Sequence, residues 1–120
     1  MGEWRLWQID NVVSSFLESC EKGMREVFLR RLIHLLEYGD QTGRPLSAPL
    51  GKGLFELRGR ARKSQARLIY FFGDRKEIFF VHACYKKRSK LSPGDLAIAD
   101  RNREQIKKER GLAHGIDFAN

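Results

Sequence analysis

Leu54-Phe55-Glu56-Leu57-Arg58, Arg67-Leu68-Ile69-Tyr70-Phe71-Phe72 and Glu77-Ile78-Phe79-Phe80-Val81-His82-Ala83-Cys84-Tyr85 follow one another in quick succession. Each run is rich in the branched and aromatic side chains that suit a pleated surface, and Gly73-Asp74-Arg75-Lys76 between the last two is a tight-turn sequence. Parallel neighbours need a crossover of about a dozen residues or more, so connections this short demand antiparallel pairing. An antiparallel sheet is the expected centre of the fold.

Working upstream, Trp4-Arg5-Leu6-Trp7-Gln8-Ile9 alternates as a short first strand, and Asp10 is placed to cap a helix. Val12, Val13, Phe16, Leu17 and Cys20 recur at three and four, the spacing of one buried stripe. A second stripe runs through Met24, Val27, Phe28, Leu32, Leu35 and Leu36 until Gly39 offers a left-handed stop. Asp40 to Gly53 carries Gly43, Pro45, Pro49, Gly51 and Gly53, so a loop is expected there, with neither helix nor strand. Downstream, Ser92-Pro93-Gly94-Asp95 sets a capping serine before a proline at the first helical position, opening a helix that lasts to about Glu109. Its apolar stripe, Leu96, Ala99 and Ile106, is thin. Residues from about 110 to 120 show no periodicity and are expected to form a flexible tail. The expectation is one α+β domain over residues 1–120, with two N-terminal helices packed on a short antiparallel-rich sheet and a C-terminal helix.

Composition narrows the partners. The 120 residues carry a formal charge of +8, but Lys52 to Lys90 holds 12 basic and 3 acidic residues, a net +9, and the remainder 11 and 12, a net −1. Regional basicity of this kind favours a polyanion such as nucleic acid; an anionic membrane face is the weaker alternative, because no basic amphipathic helix accompanies it. No apolar run approaches the roughly 20 residues of a membrane span, and the start has neither a signal-peptide core nor a myristoylation pattern, so a cytoplasmic protein is expected. Cys20 and Cys84 lack any Cys-x-x-Cys or Cys/His spacing, and two buried thiols are expected with no metal.

Strand alternation puts Glu56, Arg58, Arg60 and Arg62 on one face, with Arg67 on a neighbouring strand and Lys86, Lys87 and Arg88 leaving the end of the next. Guanidiniums crowded around one acid suit an incoming phosphate, through charge-assisted, often bidentate hydrogen bonds. The alternative is a salt-bridged surface around Glu56. Nucleotide-binding glycine loops, histidine pairs at metal spacing and serine-hydrolase signatures are absent from the sequence. Metal-free RNA cleavage needs only common side chains: a base for the ribose 2′-hydroxyl, cations for the charged transition state and an acid for the leaving 5′-oxygen. Glu56 is the candidate base, Arg58 and Arg67 the candidate phosphate clamp, and Lys87, His82 or Tyr85 a candidate proton donor or positioning group. Arg60, Arg62, Lys63, Lys86, Arg88 and Lys90 are candidate nucleic-acid contacts.

These three runs, with Ala66 before Arg67, the preceding Pro49-Leu50-Gly51-Lys52-Gly53, the following Lys86-Lys87 and Ser92-Pro93 and the two N-terminal helices, resemble the RelE/ParE toxin superfamily in order and spacing. Within it, the resemblance is to the phage-derived HigB-like branch. The resemblance implies a small RelE-like α+β fold and a type II toxin neutralised by a cognate helix-turn-helix antitoxin. It also implies a ribosome-dependent endoribonuclease that cuts mRNA with no metal or other cofactor. By position, Arg67 matches the arginine of the family's YR(I/L)xY strand, Arg58 and Glu56 fall at basic and acid/base positions of the preceding strand, and Lys87 falls at a late-strand cation. Ala66 stands where the family usually has an aromatic. A ParE-like toxin that inhibits DNA gyrase, or an inactive RNA-binding relic, is the competing expectation, since one scaffold hosts more than one activity.

Overall fold

In the computed structural model, which describes residues 2–117, the six strands form one sheet in the order β2-β3-β4-β5-β1-β6. The strands are β1 (Arg5–Ile9), β2 (Ser47–Gly51), β3 (Leu54–Ala61), β4 (Ser64–Gly73), β5 (Glu77–Tyr85) and β6 (Ala113–Gly115), with helices α1 (Val12–Ser19), α2 (Lys22–Tyr38) and α3 (Pro93–Lys108). The run β2 to β5 is an antiparallel meander, and β1 joins β5 in parallel. The parallel pair follows from the crossover that α1 and α2 provide. No helix among the described residues is long and apolar enough to cross a membrane.

Each sheet face has its own core. On one, Val13, Phe16, Met24, Phe28, Leu32 and Leu35 of α1 and α2 close over Leu57, Leu68, Tyr70, Ile78 and Phe80. On the other, Ala99 and Ile106 of α3 pack with Leu54, Ile69, Phe71, Phe79 and Val81. The helix pair approaches so closely that a Cβ at Gly59 would lie 2.3 Å from the Phe28 ring. The thin stripe of α3 is supplemented by Arg103, which is buried and donates to the Lys52 carbonyl and the Asp100 carboxylate, tying the helix to the β2–β3 turn.

Three expectations are corrected. Asp10 does not cap α1: it sits at φ 50 in the preceding turn, and Gln8 Oε1 instead accepts from the Val13 and Ser14 amides at 3.0 and 3.1 Å. The expected loop at Asp40 to Gly53 contains β2, because an edge strand needs hydrogen bonds on one side only and can hold Pro49, while Gly51 and Gly53 make the turn at φ 97 and 82. The tail is docked through Ile116: β6 pairs with the free edge of β1, Ala113 is buried, and Arg110 lies 4.3 Å from the Trp7 ring centroid while pairing with Glu77. The end of the expected tail, residues 118–120, falls outside the described residues.

Candidate functional site

A one-residue bulge in β5 decides what the site contains. Ile69 pairs with His82 while Tyr70 pairs with Phe80, leaving Val81 as the extra residue. Before the bulge, Ile78 and Phe80 point to the helix pair and Phe79 and Val81 to the α3 side. Beyond it the parity reverses: Ala83 joins the core under the helix pair and Tyr85 packs 5.5 Å from Phe16. His82, Cys84 and Lys86 therefore come to the α3 side, in line with Arg67 and Glu56.

Arg58 and Arg67 face each other across β3 and β4, two pairs along from Glu56 and Ile69 and so on the same sheet face. The Glu56 carboxylate resolves the repulsion by taking one guanidinium on each oxygen: Arg58 Nε donates to Oε2 at 2.9 Å and Arg67 Nε to Oε1 at 3.1 Å. The two arginines are not equivalent. Arg67 is only 4% exposed and spends its other nitrogens on the Ala66 carbonyl and Gln65 Oε1, whereas the Arg58 side chain is 32% exposed. Arg67 and Glu56 form a buried, oriented pair, and Arg58 is the arm that a ligand can reach.

On the same face, His82 Nε2 meets Asp95 Oδ1 at 2.8 Å, and Ser92 Oγ donates to Asp95 Oδ2 at 2.7 Å. Burial opposes ionisation of Asp95, but the hydrogen bonds from His82 and Ser92 outweigh it and hold the carboxyl below its ordinary range. Cys84 stands opposite Arg67 across β4 and β5, with its sulfur within 4.8 Å of His82 and Asp95; burial first, then the Asp95 charge, pushes its thiol up to about 12. Lys86 is lowered by burial and then by Arg67 and Arg58, against the opposing pull of Glu56. Beside this cluster a cleft of about 620 Å³ is lined by Lys63, Gln65, Tyr85, Lys86, Lys87 and Arg88, and a smaller one of about 200 Å³ by Lys86, Lys90, Leu91 and Asp95 among others. Gln65 links the larger cleft to Arg67.

The fold thus gathers Glu56, Arg58, Arg67, His82 and Lys86, and sets Lys87 and Arg88 on both clefts, Lys63 on the larger and Lys90 on the smaller. Lys87 is exposed on that rim, and Lys86 is the lysine whose charge feels Arg58, Arg67 and Glu56. Tyr85 is on the opposite sheet face from His82; burial, then Cys20 and Glu21, raises its phenol and makes it a weaker acid. Arg60 is exposed at the far end of β3, and Arg62, at φ 54 in the β3–β4 turn, lines a separate cleft with Glu21 and Glu26. Sequence reasoning missed Asp95 and Cys84 as members of the site. Asp95 is legible as the first-turn acid of a capped helix, but nothing local says that its carboxylate reaches back to β5.

Over residues 15–104, three quarters of the chain, the sequence matches the family described as Phage derived protein Gp49-like (DUF891). The matched stretch runs from α1 into α3 and includes every residue of the acid, guanidinium and His82–Asp95 clusters. No curated protein matches the chain.

Proposed function

This chain belongs to the phage-derived Gp49-like family, a RelE-like toxin family, and from that premise we propose that it is the toxin of a type II toxin–antitoxin pair, of the HigB-like kind, that cuts mRNA on the ribosome. The observation that carries the reading is the basic cleft joined to the Glu56–Arg58–Arg67 cluster through Gln65, which bonds Arg67, and Lys86, whose charge feels all three: cations suited to a phosphate backbone stand next to an acid–guanidinium cluster. Arg58 and Lys86 reach the scissile phosphate, and the Glu56–Arg67 pair fixes Arg58 in position. His82, held by Asp95, is the proton relay, and Lys63, Lys87, Arg88 and Lys90 on the two clefts track the flanking backbone. A helix-turn-helix antitoxin is the expected partner, with ribosome and mRNA as targets in the cytoplasm.

A second reading, a ParE-like toxin that binds gyrase and cleaves nothing, is favoured by one observation: both Glu56 oxygens are occupied and the side chain is buried, which suits a structural acid better than a base that must reach a 2′-hydroxyl. Mapping mRNA ends in a translating extract, with and without the protein, separates the two. Cuts confined to translated messages support the nuclease; intact mRNA with arrested supercoiling by gyrase supports the second reading, and intact mRNA with active gyrase overturns both.

A further inference from the structure

Among the described residues, His82, Cys84 and Asp95 each offer one ligand atom within 4.8 Å of the other two. The three come from two elements, β5 and the first turn of α3, and the bulge at Val81 is what sets both β5 residues on the side where α3 descends. The Asp95 carboxylate is already oriented: Ser92 holds Oδ2 at 2.7 Å, leaving Oδ1 turned to His82 Nε2 at 2.8 Å. Arg67, the guanidinium that acts on Cys84, is neutralised by its own contact with Glu56.

We propose that His82, Cys84 and Asp95 form a binding site for a divalent transition-metal ion of the zinc class, which fastens the first turn of α3 to β5. Nitrogen, sulfur and oxygen donors in a set of three are the ligands such ions take, with a fourth position left for water. Tetrahedral coordination at about 2.0 Å to nitrogen and oxygen and about 2.3 Å to sulfur needs donor separations of roughly 3.3–3.6 Å. His82 and Asp95, 2.8 Å apart, must open by about 0.5 Å, and Cys84 Sγ, within 4.8 Å of both, need close by no more than about 1.3 Å, shifts that small torsions of side chains on two elements supply. As the ion enters, the hydrogen bond between His82 and Asp95 gives way to two metal bonds: the proton that Nε2 donates to Asp95 is lost to solvent and the neutral ring keeps its hydrogen on Nδ1, which frees the Nε2 lone pair, and the Cys84 thiol releases its proton to solvent as the sulfur–metal bond forms. The ion takes the His82 nitrogen that a proton relay uses, so metal loading and relay exclude each other.

Cobalt(II) is the probe, added to the reduced, metal-free full chain. One equivalent is expected to produce thiolate-to-cobalt charge-transfer absorption together with the visible bands of a tetrahedral ion, both displaced by zinc. Cys20→Ser should retain the signal, Cys84→Ser should lose it, and Asp95→Asn and His82→Gln should each weaken binding at least tenfold, with circular dichroism confirming the fold of each variant. Zinc at a hundredfold excess over its Kd should raise Tm by about 10 °C. No charge-transfer band in folded wild-type protein, a band that survives Cys84→Ser, or affinities unchanged in both Asp95→Asn and His82→Gln would overturn the site. The readout is spectroscopic and leaves the cleavage reading to its own test.

Discussion

Glu56 holds two guanidiniums, and their loss has different consequences. Removing Arg67 leaves a buried carboxylate with one partner on a half-exposed arm, and breaking a buried pair from one side costs about 3–5 kcal/mol. Arg67→Ala is therefore expected to lower the denaturant midpoint sharply, and Arg67→Lys to recover only part of it, because an ammonium cannot donate at once to Glu56, Ala66 and Gln65. From charge crowding alone, the sequence predicts the opposite, a harmless loss of one repelling charge; the acid seated between the arginines reverses the sign. Arg58→Ala should cost under about 1 kcal/mol in the same unfolding assay. If the nuclease reading holds, it should also cut the cleavage rate about a hundredfold, as loss of a charge contact formed in the transition state does. A destabilised Arg58→Ala alongside a fully stable Arg67→Ala would refute this division of roles.

At the scale of elements, α3 begins on an interaction with a defined pH signature. Ser92 Oγ accepts from the Asp95 amide at 3.0 Å and donates to its carboxylate, so Ser92→Ala should cost about 1 kcal/mol of stability. Folding lowers the pKa of Asp95, so the unfolded chain binds its proton more tightly. The stability this contributes is complete above the ordinary carboxyl range of about pH 4 and is lost as the pH falls through the lowered value. Asp95→Asn should accordingly flatten the acid limb of a Tm-against-pH curve, and an unchanged limb would contradict the assignment. Gly59→Ala, pressing a methyl into the Phe28 ring, should destabilise by about 1–3 kcal/mol. Which of these features the sequence announces depends on how local their causes are. The helix stripes, the Ser92 cap, the Gly39 stop and the β3–β5 meander rest on neighbours within a few positions, and all are readable. The bulge is not: one extra residue at Val81 exchanges the faces of His82 to Lys86, so plain alternation puts His82 beside Phe80 and cannot choose between Lys86 and Lys87. Likewise β2 and β6 exist because a partner edge lies alongside, a fact stored elsewhere in the chain.

For the whole molecule, charge distribution makes one more prediction: with +9 concentrated in Lys52 to Lys90, binding to ribosomes or RNA should weaken steeply with salt, the log of the association constant falling linearly with log salt at a slope near −0.7 per phosphate neutralised on single strands. A flat salt dependence in a filter-binding or fluorescence titration would remove the polyanion argument. The sheet order has a different kind of consequence. The first strand synthesised pairs with β5, whose first residue is made 72 positions after Arg5, and the Asp95 that meets His82 comes later still. A nascent chain therefore carries the Glu56–Arg67 hairpin out of the exit tunnel before the His82–Asp95 pair can form, with the helix pair still lacking the β5 part of the surface it must cover. Only after β5 and then α3 have been made can β5 enter between β4 and β1 and α3 close on the other side. The hairpin that carries the acid and its two guanidiniums is thus laid down first, and the His82–Asp95 half of the cluster is added by the strand and the helix that follow it.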